Sequence, residues 1–182
     1  MDNTTYDIII VGGGSAGWMT ASTLINEFPE KKIALIESPE IGTIGVGEST
    51  INQIRGWTQY LGIEDKSFLK HVDGTYKLSI QFTDFYKKGE SFHYPFGIYN
   101  MDDTYRGFND WWYKKFAHPE TPYSDYVDCY SSQMALVNQN TLSFNEEDQL
   151  ENFDLFRHTG FQFDATKFGL WLRDFYSLPR GI

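Results

Sequence analysis

The sequence predicts an α/β fold built on a parallel sheet, and three observations carry that expectation. Two short apolar runs, residues 6–11 and 32–36, flank a segment with helical apolar spacing, and the three together span a βαβ unit of the usual length. A glycine cluster sits where the first run hands over to the helix, a place that needs backbone freedom. Residues 164–176 are amphipathic behind Asp164, a good N-cap residue.

The elements follow in order. Residues 6–11 (YDIIIV) read as a strand buried on both faces. Residues 15–28 read as a helix halted by Pro29, and residues 32–36 (KIALI) as a second buried strand parallel to the first. Residues 38–47 are rich in Gly, Pro and Ile and predict a long loop. Helices follow over 49–61 and 64–72. Residues 76–82 (YKLSIQF) alternate as one strand. Residues 92–97 read as extended or turning around Pro95. Residues 109–117 and 124–138 predict helices packed with aromatics, and 145–154 an acidic, solvated loop. The chain stops at Ile182, just after a helix, where an α/β protein starts its next strand. Residues 1–182 therefore read as the N-terminal part of one longer fold.

Composition narrows the function. The 182 residues carry a net charge of −10, a field that repels polyanions and argues against nucleic acid and anionic membrane surfaces as partners. An anionic cofactor can still bind locally, on backbone amides and a helix dipole. The one cysteine, Cys129, allows neither an internal disulfide nor a cysteine metal cluster, so no metal is expected and a reducing cytoplasm fits. The N-terminus lacks a basic region and a long apolar run, as expected without a signal peptide, and no stretch approaches the ~18 apolar residues of a membrane span. The 18% aromatic share is high, and serves either a bulky core or an aromatic-lined ligand site.

The strongest chemical signal is Gly12-Gly13-Gly14-Ser15-Ala16-Gly17. It holds G-x-G-x-x-G through Gly12, Gly14 and Gly17, after a strand and at the start of a helix, which is the context that makes this short motif informative. Gly12 permits the tight turn, Gly14 lets a pyrophosphate approach the backbone, and Gly17 lets the helix pack closely. The amides of Ser15, Ala16 and Gly17 then meet the diphosphate at the helix N-terminus. Glu37 ends the second strand and can accept hydrogen bonds from both ribose hydroxyls, while repelling a 2′-phosphate. This predicts a Rossmann-like dinucleotide site without deciding between FAD and NAD.

Three further stretches bear on that choice: GWMTA at residues 17–21, IGVGEST at 44–50 and YKLSIQF at 76–82. In this order and spacing the chain resembles the flavin-dependent tryptophan halogenases. Weaker similarity runs through HYPFG at 93–97, FQFDATKF at 161–168 and Leu172-Arg173. The resemblance implies a Rossmann-like FAD-binding domain of the flavin monooxygenase and halogenase type. It implies FAD used as FADH2, supplied by a separate flavin reductase, with halide and O2 yielding hypohalous acid. That acid passes to a lysine beside an electron-rich indole or phenol, and Lys77 matches it. An ammonium there polarises hypohalous acid, and a neutral amine forms a haloamine. From its pattern alone Lys77 would be a lysine on the solvent face of a strand.

Residues 41–50 resemble the family's loop that straps over the flavin, which places Gly45, Val46, Gly47, Glu48, Ser49 and Thr50 among the cofactor-binding candidates. Glu48 has two readings of equal weight: flavin contact, or an acid at the N-terminus of the next helix with Ser49 or Thr50 as cap. The relatives commonly carry a proline where this chain has Asn52. Their W-x-W-x-I-P signature lies further along than Ile182. Two alternatives stay open: a flavin-dependent hydroxylase, and a non-catalytic FAD-binding fragment.

Overall fold

The computed structural model describes residues 5–41, 47–97, 101–142 and 153–182, with side chains left out at 101–108 and 125. Two compact units divide it: residues 1–75 with 161–182, and residues 76–160.

The first unit opens on the expected βαβ. Strand β1 (Ile8–Val11) and strand β2 (Ile33–Ile36) pair in parallel, Ile8 opposite Ile33 and Val11 opposite Ile36. Helix α1 (Ser15–Glu27) connects them and ends one residue before Phe28, with Pro29 next, as the sequence predicts. The strands are not buried on both faces. Ile33 is buried, but Ile9, Val11 and Ile36 are 56%, 82% and 55% exposed. The apolar run reports a strand shaped for cover on two sides, whereas the described residues cover one.

Beyond β2 the sequence reading needs a correction. Residues 47–49 form a strand, β3 (Gly47–Ser49), not the start of a helix. It lies antiparallel to β7 (Gly160–Asp164), with Gly47 opposite Asp164 and Ser49 opposite Gln162. Thr50 ends the ladder by clasping Phe161. Its N–H donates to the Phe161 carbonyl at 2.8 Å, and its Oγ1 accepts the Phe161 N–H at 2.8 Å. That clasp delays the helix, and α2 spans Gln53–Tyr60, followed by the short α3 (Asp65–Phe68).

Strand β7 runs into α7 (Ala165–Trp171), where Asp164 is the predicted N-cap, accepting the Lys167 N–H at 2.9 Å. The single helix expected over 164–176 instead widens into a π-helical turn (Leu172–Ser177) and tightens into a 3₁₀ turn (Leu178–Arg180). The core lies between α1 and this C-terminal helix, around buried Trp18, Ala21, Ile25, Phe68, Phe161, Phe168 and Leu172. Polar ties hold the packing: Ser22 to Ser177 at 2.9 Å, Trp57 Nε1 to Thr23 at 3.0 Å, and Tyr176 to the Leu61 carbonyl at 2.9 Å. Arg55, 5% exposed, pairs with Asp65 and lies over the Phe161 ring, 4.8 Å from its centroid.

Strand β4 (Thr75–Lys77) leads into the second unit. The one strand expected over 76–82 is two, because Leu78 breaks it from β5 (Ser79–Thr83). The Leu78 carbonyl accepts the Phe96 N–H at 2.9 Å, and β5 then pairs antiparallel with β6 (Ser91–Pro95). Helix α4 spans Met101–Ala117. The single helix expected over 124–138 is also two, α5 (Asp125–Tyr130) and α6 (Gln133–Gln139), since Ser131 is extended at φ −120°, ψ 103°. Buried Trp111 meets Tyr126 edge-on at 5.7 Å, so this tryptophan packs the helices. Most of the loop expected at 145–154 falls outside the described residues.

Candidate functional site

The turn between β1 and α1 is built from main chain. Gly12 has φ +115°, in the left-handed region that favours glycine. A Cβ on Gly17 would stand 1.9 Å from the Gly12 carbonyl oxygen, so Gly17 brings the helix against the turn itself more than against the strand. A Cβ on Gly14 would meet nothing within 4 Å, leaving an open approach in front of the helix N-terminus. No side chain caps α1 and no acidic residue occupies its first turn. Its first ladder bond is Trp18 N–H to the Gly14 carbonyl, 3.1 Å, which leaves the amides of Ser15, Ala16 and Gly17 outside the ladder. Uncapped amides, a dipole's positive end and open space in front suit a diphosphate.

Glu37 stands at the mouth of this turn. A Cβ on Gly13 would lie 1.7 Å from Glu37 Oε2, so the carboxylate is laid across the middle glycine. The sequence motif leaves that position open, and only the structure shows why glycine stands there. A second residue not anticipated for the site is Arg173, in the π-helical turn, whose guanidinium reaches within 3.8 Å of Glu37 Oε1. Asp174 holds Arg173 with two hydrogen bonds, at 2.7 and 3.2 Å. That contact first, and Glu37 after it, raise the Arg173 pKa above its ordinary value.

The β7–α7 corner ties the strap to the turn. Ser15 Oγ donates to the Ala165 carbonyl at 2.8 Å, and Asp164, one residue earlier, is the partner of Gly47 in β3. A Cβ on Gly169 would come 3.3 Å from Ser15 Cα, a close approach of the two helices that the motif search did not flag. Gly47, Glu48, Ser49 and Thr50 are therefore fastened to the element that also fastens Ser15. Glu48 faces Phe163 across the β3–β7 ladder, and the cap position of α2 belongs to Asn52, so the capping reading of Glu48 is overturned. Gly45 and Val46 lie outside the described residues.

A concavity of about 460 Å³ runs along the β3–β7 ladder, lined in part by Glu48, Asp73 and Asp164. It is a poorer seat for a diphosphate than the glycine turn. Its three carboxylates repel phosphate, whereas the turn offers uncapped amides.

Lys77 belongs to the other compact unit. It is half-buried, not on an open solvent face, and its ammonium lies 5.3 Å from the centroid of the buried Phe96 ring. Burial lowers its pKa below the ordinary lysine value. Gln133 donates its side-chain amide to the Phe96 carbonyl and so anchors the ring that Lys77 covers.

Comparison with known proteins agrees with this geometry. The family model of tryptophan halogenase matches residues 7–182. The chain belongs to the tryptophan halogenase family. Tryptophan 6-halogenase ThaL of Streptomyces albogriseolus is 31% identical over 193 residues, covering 96% of this chain and 35% of that protein. The apo structure of VirX1 superposes with a TM-score of 0.82 at 34% identity, over 98% of this chain and 35% of that one. Xcc4156, a flavin-dependent halogenase from Xanthomonas campestris, superposes at 0.75 with 25% identity, over 96% and 33%. The chain thus spans about a third of the length of these relatives. The α/β, Rossmann-like fold expected from the sequence is the family's fold, and FAD, used as FADH2, is the family's cofactor. The residues at the glycine turn fit that cofactor, with open space in front of Gly14 and uncapped amides at the start of α1. Among the described residues no group of three or more His, Cys, Asp or Glu could hold a metal ion, and no helix is long and apolar enough to cross a membrane.

Proposed function

We propose that residues 1–182 form the N-terminal, FAD-binding part of a cytoplasmic flavin-dependent halogenase, together with the start of its substrate-binding region. The observation that carries this reading is the uncapped start of α1, open in front of Gly14, in a chain of this family. In it Gly12, Gly14, Ser15, Ala16 and Gly17 hold the diphosphate and Glu37 the adenosine ribose. Gly45, Val46, Gly47, Glu48, Ser49 and Thr50 serve the flavin ring, a role supported for Gly47, Glu48 and Ser49 by their ladder to β7.

When bound as FADH2, supplied by a separate flavin reductase, the cofactor would provide the two electrons and two protons with which O2, halide and one further proton become hypohalous acid and water. The chain's own part in the transfer falls to Lys77. Its ammonium donates a hydrogen bond to the hypohalous acid and polarises the oxygen–halogen bond. An electron-rich aromatic carbon, of an indole or phenol, then attacks the halogen and afterwards loses its proton, while water leaves. Phe96 supports this role by holding the cation against its ring, and the lowered pKa supports it by keeping the proton easier to give.

Two measurements test the proposal. Flavin titration should show saturable FAD binding to this chain, and no binding removes the reading. In the whole enzyme supplied with FADH2, bromide and an indole, the product should be brominated, and Lys77→Ala should keep forming hypohalous acid while losing that product. Hydroxylated product formed equally without bromide would replace halogenation with hydroxylation.

A further inference from the structure

The glycine turn addresses the diphosphate, but the groups around Glu37 address the other end of the adenosine. Glu37 leaves the end of β2 with one oxygen laid over Gly13, where a Cβ would sit 1.7 Å from Oε2. Its other oxygen faces Arg173, with Nη1 3.8 Å from Oε1. The rest of that guanidinium is already taken. Nε donates to Asp174 Oδ1 at 2.7 Å and Nη2 to Oδ2 at 3.2 Å, a two-point grip that fixes the plane and turns Nη1 toward Glu37. All three side chains are only partly buried, so a ligand at the turn can reach them.

We propose that Arg173 is a specificity-determining residue for the cofactor: it positions the Glu37 carboxylate for the two ribose hydroxyls, and its charge, shared between Glu37 and Asp174, is withheld from a 2′-phosphate. The proposal rests on the reading of the glycine turn as a dinucleotide site and deepens it. Two consequences follow from the chemistry. Without Arg173, Glu37 loses the cation that orients it and binding of an unphosphorylated adenosine ribose weakens. Without Glu37, the guanidinium gains a free face beside the ribose position, and a 2′-phosphate becomes a ligand instead of a repelled group. The same arginine thus serves opposite preferences according to whether its acidic partner is present.

The test uses a matched pair of probes, ADP-ribose and 2′-phospho-ADP-ribose, titrated calorimetrically into the 182-residue chain at fixed low salt. The wild type should prefer ADP-ribose, by about tenfold or more for one repelled phosphate. Arg173→Ala should weaken ADP-ribose by about tenfold, the loss of one charge-assisted contact. Glu37→Ser should abolish or reverse the preference, and Arg173→Ala placed on Glu37→Ser should remove the gain in 2′-phosphate binding. A purely structural Arg173 would change both ligands equally and leave the preference where it was. Arg173→Gln, closer in volume, replaces Arg173→Ala if circular dichroism shows the alanine variant unfolded. Binding of ADP-ribose with a preference that Glu37→Ser does not change, or a 2′-phosphate gain that survives loss of Arg173, overturns the proposal alone. Failure of the wild type to bind either probe overturns the dinucleotide site beneath it.

Discussion

Gly14 and Gly17 stand one helical turn apart, and the structure separates what each is for. A Cβ on Gly14 meets nothing within 4 Å, and its backbone, φ −75° and ψ −179°, is extended conformation open to any residue. Gly14→Val therefore costs the folded chain only a worse N-cap, about 1 kcal/mol or less. Its branched side chain, however, fills the approach to the amides of Ser15, Ala16 and Gly17. Losing two charge-assisted hydrogen bonds at roughly 1.5–3 kcal/mol each removes about 3–6 kcal/mol of binding, a hundredfold or more in Kd. Gly17→Ala does the reverse. Its Cβ would lie 1.9 Å from the Gly12 carbonyl, a backbone atom that cannot swing aside, so the turn must deform at a cost of about 1–3 kcal/mol. Urea unfolding with and without FAD separates the two effects. At an FAD concentration of about 100 Kd the wild type should gain about 2.7 kcal/mol, whereas Gly14→Val should unfold near the wild-type midpoint without FAD and gain almost nothing with it. Gly17→Ala should be destabilised already without flavin. A Gly14→Val protein that keeps FAD affinity within about threefold of wild type would refute the diphosphate placement. A Gly17→Ala protein as stable as wild type would refute the close-packing argument.

The clasp between Thr50 and Phe161 predicts that Thr50→Val destabilises the chain by about 1–3 kcal/mol in urea unfolding, because the Phe161 N–H loses its acceptor, while Thr50→Ser recovers most of that loss. Arg55→Ala should cost about 1.5–3 kcal/mol by removing the buried guanidinium that pairs with Asp65 and covers the Phe161 ring, and replacing both partners by Met and Leu should recover part of it in the same assay. Lys77, with its charged form disfavoured by burial, should lose its proton at a lower pH than an ordinary lysine. Side-chain NMR titration of the labelled lysines checks this, and a Lys77 midpoint at or above the ordinary lysine value counts against the burial argument.

The elements that the sequence places well are those governed by local chemistry. Pro29 stops α1, and Asp164 caps α7 through the Lys167 amide, as a reading of short-range signals requires. The misplacements share another cause. Residues 49–52 have nothing locally against a helix, and it is Phe161, 111 positions away, that draws Thr50 into a clasp and postpones α2 to Gln53. The run over 76–82 alternates without interruption, but the ladder to β6 takes only its second half, from Ser79 onward. Neither partner is visible in a window of neighbouring residues. Burial fails for a related reason: β1 and β2 are apolar on both sides, but one side of Ile9, Val11 and Ile36 meets no cover among the described residues.

The site divides along the same line, and its middle glycine shows how. Read as a motif, Gly12, Gly14 and Gly17 are the informative positions and Gly13 is a spacer. In the structure Gly13 is constrained too, because Glu37 Oε2 occupies the place its Cβ would take, as the Gly12 carbonyl does for Gly17. Glycine at position 13 is therefore a consequence of glutamate at position 37, whose longer side chain folds back over the turn from the end of β2. Arg173, brought from the far end of the chain, then meets the same carboxylate from its other side. A motif read residue by residue treats these as three separate positions, whereas the physical unit is one carboxylate with a bare backbone beneath it and a cation beside it. That unit joins residues 136 positions apart, so the glycine turn is legible from six consecutive residues, whereas the groups gathered at Glu37 are legible only in part.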